Sequence, residues 1–476
     1  MEKNNLKEID DLSKNAFKAG LWYTISSITV KTISIVTTPI YTRMMSASDY
    51  GIASTFISWY SLLLVFSSLN LTYSAPRAKQ DFPGKFENYL GSIQLMAAVI
   101  NVLAAILIVV FIKPVSLGLG IEPLLVYILL GYLFFSTAVT LAQCRYRYTY
   151  KIKENIAITI YITVSTALMS LIFLYFFKNK YLGKILGGAI PTILLGIFLW
   201  IITYKKRQLS INIDYWKYGL ILSVPLIIHT VSLNILSQSD RIFISKYCGN
   251  DATGFYSLAY QYAILINIVM NAISEAWAPW FYDKFALGEY SEIKKNIKTF
   301  IILGCFLGTC CIAFAPEAIA ILGGRTYQSA IWVVPPVTIG IVCQYIYNHY
   351  VNIEIQMKKT KIISLGSLVA ALTNVILNIL FVPKFGFIAA AYATLISYLV
   401  LLLIHYYAVT YILRTKIYSN SFMFISLFVS GIIGLIFMLL YNTFILRYFI
   451  LLLILAIYFL INRKLIGRII RNKKLF

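Results

Sequence analysis

Residues 218–241 read YGLILSVPLIIHTVSLNILSQSDR, and Gly249, Gly254 and Tyr256 follow. The stretch is an apolar helix that carries Pro225, His229, Asn234 and Gln238 and ends on adjacent Asp240 and Arg241. It is long enough to cross a bilayer, which takes about 20 apolar residues. A charge near the bilayer centre costs roughly 2.5–3.5 kcal/mol on insertion scales, so intramembrane charges point to function.

The rest of the chain resembles this stretch. Its 476 residues are 60% hydrophobic and 12% charged, with a mean hydropathy of +0.79. A soluble chain carries about a quarter charged residues, so the composition excludes a soluble enzyme with a large core. The fold expected is an all-α polytopic membrane protein. Residues 1–18 are polar and mixed in charge, with no cleavable signal pattern, so the first span is expected to stay in the mature protein. The net charge of +23 fits positive-inside topology and anionic lipid rather than nucleic acid. Six cysteines, at 144, 248, 305, 310, 311 and 343, show no C-x-x-C pair and read as small buried hydrophobes, not metal ligands.

About fourteen apolar spans are legible, from 19–41 to 448–461. With alternate connections assigned to alternate sides, one side carries 30 Lys and Arg and the other 10. That bias places both termini in the cytoplasm. The longest connection, 282–299, is too short for a domain, so function must lie in the helices and their ends. A sugar polymerase or ligase, which needs a large catalytic loop, is disfavoured.

Two related halves follow one another. Arg43 closes the first span ahead of Asp49-Tyr50-Gly51, and Arg241 closes the seventh ahead of Gly254-Phe255-Tyr256. Gly183 and Gly187 in the first half answer to Gly386 and Ala389 to Ala391 in the second. Two six-helix bundles in the same orientation are therefore expected, related by a pseudo-two-fold axis along the membrane normal, with two further C-terminal helices. Such an architecture binds substrate between the bundles and works by alternating access. The segments expected are 1–18, a cytoplasmic lead; 19–204, the N-lobe; 205–217, a linker; 218–412, the C-lobe; and 413–476, two extra spans with a basic tail.

Several polar side chains lie inside spans. Lys31, near the middle of the first, has no carboxylate within a turn and is read as a cavity cation for an anionic group. Asn267, Asn271 and Glu275 recur at intervals of four on one face, and Gln344, Asn348 and Asn352 do so on another helix. Glu275 is a candidate ion or proton site; Asn374 and Asn378 read as interhelical hydrogen-bonding groups. His229, His349 and His405 are scattered, with His229 beside Pro225 the best placed for a proton. Arg43, Arg77 and Arg241 either snorkel to the interface or grip phosphate bidentately. Pro225, Pro191, Pro279 and Pro335-Pro336 are candidate hinges. No phosphate-cradling glycine loop, nucleophile elbow or zinc signature is present, so direct use of ATP is not expected.

In order, Thr42 to Gly51, Pro225, Asp240-Arg241, Gly254-x-Tyr256, Ala315-Pro316-Glu317, Gly323-Gly324, Tyr327, Asn374, Asn378, Pro383 and Gly386 resemble a known family. It is the O-antigen and capsule lipid-linked oligosaccharide flippase branch of the multidrug/oligosaccharidyl-lipid/polysaccharide exporter superfamily. The resemblance covers about residues 15–409. It implies a flippase of the bacterial cytoplasmic (inner) membrane, not an enzyme. The substrate would be undecaprenyl-diphosphate-linked repeat units for O-antigen, capsule or exopolysaccharide. Lys31, Arg43, Arg77 and Arg241 would meet diphosphate or sugar, and His229, Asn267, Asn271, Glu275, Gln344 and Asn348 would be polar cavity or ion-coupling groups. Pro225, Asp240 and Gly254 would be structural. No cofactor or metal is implied, only coupling to a proton or sodium gradient or to the membrane potential. Partners would be the lipid bilayer, a polysaccharide polymerase and a chain-length regulator. The alternatives are a multidrug/cation antiporter of the same superfamily, which wants acidic cavity groups, and a flippase for the peptidoglycan lipid precursor.

Overall fold

The computed structural model describes residue 22, residues 26–205 and residues 209–471, with side chains to residue 458. The expected lead 1–18, part of the linker at 206–208 and the last tail residues 472–476 lie outside the described residues. Among the described residues every regular element is helical. Twelve helices among the described residues are long and apolar enough to cross a membrane. The first expected span is represented by α1 (26–44), and the last by the apolar stretch Phe444–Tyr458 of α17 (Phe444–Arg471).

Contacts divide the chain into two compact units, Met1–Gly254 and Phe255–Phe476. The first unit holds α1, α2 (Ala47–Ser67), the short α3 (Ala75–Asp81), α4 (Phe86–Val110), α5 (Ile112–Leu119), α6 (Pro123–Tyr148), α7 (Ile152–Phe176), α8 (Lys180–Lys205) and α9 (Ile213–Cys248). The start of α10 (Asn250–Ala286) also belongs to it. Local chemistry sets the boundaries. The Ser46 hydroxyl accepts the Asp49 N–H at 3.0 Å and caps α2. Asn212 does the same for α9 through the Tyr215 N–H at 3.0 Å. Gly249, at φ +87°, separates α9 from α10, a backbone setting that favours glycine. α9 runs for 36 residues with Pro225 inside it.

Small residues let these helices approach, as expected where lipid removes the hydrophobic drive between helices. A Cβ on Gly187 of α8 would lie 2.4 Å from the Ser170 Cα of α7, and one on Gly196 would lie 2.6 Å from the Phe135 Cβ of α6. Where α4 meets α9, Leu71, Ala75, Tyr89, Leu90 and Ile93 form a buried cluster, and the Tyr89 hydroxyl donates to Ser74 at 2.7 Å.

The second unit continues α10 and holds α11 (Tyr290–Ala313), α12 (Ala315–Gly323), α13 (Val334–Gln356), α14 (Thr360–Phe385), α15 (Phe387–Tyr407), α16 (Asn420–Leu439) and α17. Its packing repeats the first unit's pattern: α15 lies on α14 and α13 as α8 lies on α7 and α6. Ala390, Ala391 and Thr394 are buried at that contact. Asn374 donates to Thr394 at 3.3 Å, and Asn378 donates to the Asn374 carbonyl at 3.0 Å.

Three local expectations are corrected. The connection expected at 282–299 is helical except at 287–289, since α10 runs to Ala286 and α11 starts at Tyr290. Lys284 is paired there with Glu289 and, at 2.9 Å, with Glu292, so charges continue the helices where hydropathy alone ends them. The ninth span, expected at 300–322, divides at Phe314, because Pro316 lacks the N–H that a continuous helix needs. Pro335 and Pro336 open α13 instead of kinking it, since the first helical turn needs no N–H donors. Pro191, Pro225 and Pro279 do lie inside their helices.

α17 is tied to α12 through Arg447, 2% exposed, whose Nη2 pairs with the Glu317 Oε1. Replacing Arg447 by methionine keeps the bulk and removes the charge-assisted bond. The expected loss is about 1–3 kcal/mol, read as a lower melting temperature of the purified chain in detergent. An unchanged melt would make the pair ornamental.

Candidate functional site

In the first unit the expected cations are held differently. Lys31 stands exposed on α1, and no ion pair engages it among the described residues. Arg43 is exposed and its Nη1 donates to the Pro39 carbonyl at 3.2 Å. Arg241 is buried, its Nη1 donating to the Ser237 carbonyl at 2.8 Å, beside a fully buried Asp240. Arg77 pairs with Asp81 at 2.9 Å, and Asp81 also accepts the Tyr218 hydroxyl at 2.8 Å. Those two donors, Tyr218 first, hold the Asp81 carboxyl below its ordinary range. The link from α3 to α9 is therefore present at neutral pH and weakens only as pH falls through that lowered value.

His229 is half-buried one turn beyond Pro225. The next residue, Thr230, accepts from the Asn70 side-chain amide at 2.9 Å and joins α9 to the end of α2. That end is an unusual corner. Leu69 and Asn70 have φ +47° and +56°, a setting strained for residues with a side chain.

Over the corner opens a cavity of about 290 Å³. Its polar lining comes from Tyr60, Ser61, Ser68, Asn70, Thr72, Thr140 and Asn234, with Leu64 and Val65. No lining side chain carries a formal charge. The Tyr60 ring stacks on Tyr132 at 4.1 Å, and its hydroxyl donates to Ser136 at 3.0 Å. Behind it, Ser67 donates to Asn101 at 2.6 Å and lies 3.0 Å from the Thr137 hydroxyl, linking α2, α4 and α6. A polar, neutral recess in an apolar body suits a ligand with many hydroxyl groups. Of the stretch that opened the sequence, Asn234 reaches this lining; the expected cations do not.

In the second unit two expected polar ladders meet. The Asn267 amide donates to Gln344 at 3.3 Å, and the Tyr282 hydroxyl donates to Asn352 at 3.2 Å. Asn271 and Glu275 are exposed on α10, and Asn348 is half-buried on α13. His349 is fully buried among the rings of Trp277, Tyr345 and Tyr418, at 5.9, 5.0 and 6.5 Å.

Two pairings were not foreseen. Lys184 lies in α8 with its Nζ 3.4 Å from the centre of the Tyr41 ring. Glu354, not among the site residues expected from sequence, is fully buried against His405. The signal for Glu354 was its setting, Ile353-Glu354-Ile355, an acid inside an apolar run. Among the described residues no three His, Cys, Asp or Glu side chains converge as metal ligands would.

Comparison with known proteins places this architecture. The family described as polysaccharide biosynthesis protein matches residues 16–285. A protein of the Lsg locus of Haemophilus influenzae is 23% identical over 276 residues, 56% of this chain and 66% of that protein, just under two thirds of its length. Among solved structures, the lipid II flippase MurJ in an inward closed conformation superposes with a TM-score of 0.70 at 16% identity, over 94% of this chain and all of that one. A multidrug resistance MATE transporter of the MOP superfamily, inward-facing, gives 0.63 at 10% identity, over 83% of this chain and 99% of its own. At those identities the likeness is one of fold.

Proposed function

This chain belongs to the polysaccharide biosynthesis protein family, and from that premise we propose that it is a carrier, not an enzyme, that moves a lipid-linked oligosaccharide across a bacterial cytoplasmic membrane. The observation that carries the reading is the uncharged cavity of hydroxyls and amides within the first unit. A neutral sugar presents many hydroxyls and no charge, and such a lining exchanges its hydrogen bonds with water for hydrogen bonds with protein. Lys31 would supply what the cavity lacks, a cation for the diphosphate that joins sugar to lipid. The undecaprenyl chain would stay in the bilayer, against the apolar outer faces of helices such as α4, where Leu103, Ile106 and Leu107 are exposed.

On this reading the moving lobes are 19–204 and 218–412, joined by 205–217, with 413–476 as an appendix and both termini in the cytoplasm. A polymerase and a chain-length regulator would act on the product, in O-antigen, capsule or exopolysaccharide synthesis.

Purified chain in liposomes is expected to expose an undecaprenyl-diphosphate-linked oligosaccharide, loaded on one leaflet, to a lectin on the other side. Asn234→Leu removes one cavity amide of about the same size. It should slow translocation roughly tenfold, equivalent to about 1.4 kcal/mol, within the range of a lost hydrogen bond. Folded chain that translocates no glycolipid but exports a cationic dye would replace the reading with the antiporter.

A further inference from the structure

Glu354 and His405 form a buried acid–imidazole pair with no part in the transport path just described. Glu354 lies two residues before the end of α13, and His405 two before the end of α15. The His405 Nδ1 is 2.9 Å from each carboxylate oxygen of Glu354. The side chains are 0% exposed for Glu354 and 1% for His405. A carboxylate at that position only accepts, so opposite a carboxylate Nδ1 carries the hydrogen and donates it. The other ring nitrogen faces away, toward α14: a Cβ on Gly366 would lie 3.4 Å from Nε2.

A proton taken from water therefore forms its N–H bond at Nε2. The imidazole becomes imidazolium, Glu354 stays a carboxylate, and the pair is neutral as a whole. When that bond breaks and the proton returns to water, one negative charge is left buried, which a low-dielectric site disfavours. The surroundings supply no second cation in contact. From α13 the Tyr347 ring stacks on the imidazole at 5.4 Å, and the Tyr350 hydroxyl donates to Asn420 at the start of α16. From α14 the neighbour is Gly366, while Lys358, Lys359 and Lys361 lie at that helix's mouth. Beyond α15 stand Tyr411, Arg414 and Lys416. Among the described residues no acid or amine from α11, α14 or α16 lies within ion-pair distance of either group.

A second feature adjoins the pair. Directly after α15 the backbone widens into a π turn at Ala408–Ile412. Such widened turns recur at functional sites.

We propose that Glu354 and His405 are a proton-binding site that latches the end of α13 to the end of α15, closed when Nε2 is protonated and loosened when it is not. The latch goes beyond the carrier reading and stands whatever cargo the chain moves.

The test uses the full chain in lipid nanodiscs, with the proton as the only ligand. Histidine ¹⁵N spectra are recorded from about pH 5 to about pH 9, a range that spans ordinary histidine behaviour. His405 is assigned by His405→Gln or, if that variant fails to fold, by His229→Gln with His349→Gln. The expected result is that Nε2 gains its proton on acidification. Amide hydrogen exchange in residues 350–357 and 403–412, corrected for its intrinsic pH dependence, slows by about tenfold in step. Glu354→Gln should remove that slowing. The proposal is overturned if Nε2 keeps one state throughout, if exchange does not follow it, or if folded Glu354→Gln still slows. The wild-type titration decides alone should that variant not fold.

Discussion

A Gly254→Val chain is expected to lose the packing of its first unit and, with it, the proposed glycolipid transport. A Cβ on Gly254 would lie 2.2 Å from the Ala47 carbonyl oxygen, and one on Gly51 would lie 1.9 Å from the Asn250 carbonyl oxygen. Both partners are backbone, so no side chain can swing aside. The first turns of α2 and α10 touch reciprocally, each glycine against the other helix. Even alanine forces the two turns apart by about an ångström, and overpacking of this kind costs about 1–3 kcal/mol, more for valine. A disulfide between Ala47→Cys and Asn250→Cys should form readily in the parent and poorly beside Gly254→Val. Equal crosslinking in both, with glycolipid transport retained, would show that the turns part freely.

The second large effect is at Lys31. Lys31→Ala is expected to abolish surface polysaccharide while the protein still inserts, and Lys31→Arg to retain some. A hydrogen bond to a charged group contributes about 1.5–3 kcal/mol, or roughly ten- to hundredfold in rate. Surface polysaccharide at the parent level in the alanine variant would remove Lys31 from the diphosphate. The arginine arm matters because guanidinium keeps the charge but changes its shape and reach. Gain of function by arginine would point to bidentate phosphate recognition.

The helices were legible in the sequence for a physical reason. A backbone crossing lipid must satisfy its own hydrogen bonds, so each crossing declares itself as an apolar run. The repeat was legible too, since Arg43 with Gly51 and Arg241 with Gly254 mark equivalent helix junctions. Helix ends were not, because Lys284, Glu289 and Glu292 carry helix past the last apolar residue. Nor was the cavity. Ser61, Ser68, Thr72 and Thr140 look in sequence like the small polar residues that pack any membrane helix. Partnerships were hidden by distance along the chain: Glu354 and His405 are 51 residues apart, and only folding brings α13 to α15. Asn374 went the other way, its place inside a span foretelling the bond across to Thr394 of α15, while Asn378 bonds back to Asn374 on its own helix.

α9 is 36 residues long, which at 1.5 Å per residue makes a rod of about 54 Å, against roughly 30 Å of hydrocarbon. A rod that outreaches its medium is a lever. Turning it by about 10° about its midpoint swings each tip by about 5 Å, close to one helical pitch. Pro225 sits on the arm nearer Asn212, and the bond from Asn70 to Thr230 falls at the midpoint, where the corner acts as a fulcrum. A tilt about that corner would therefore carry Asn212 and Gly249 in opposite senses.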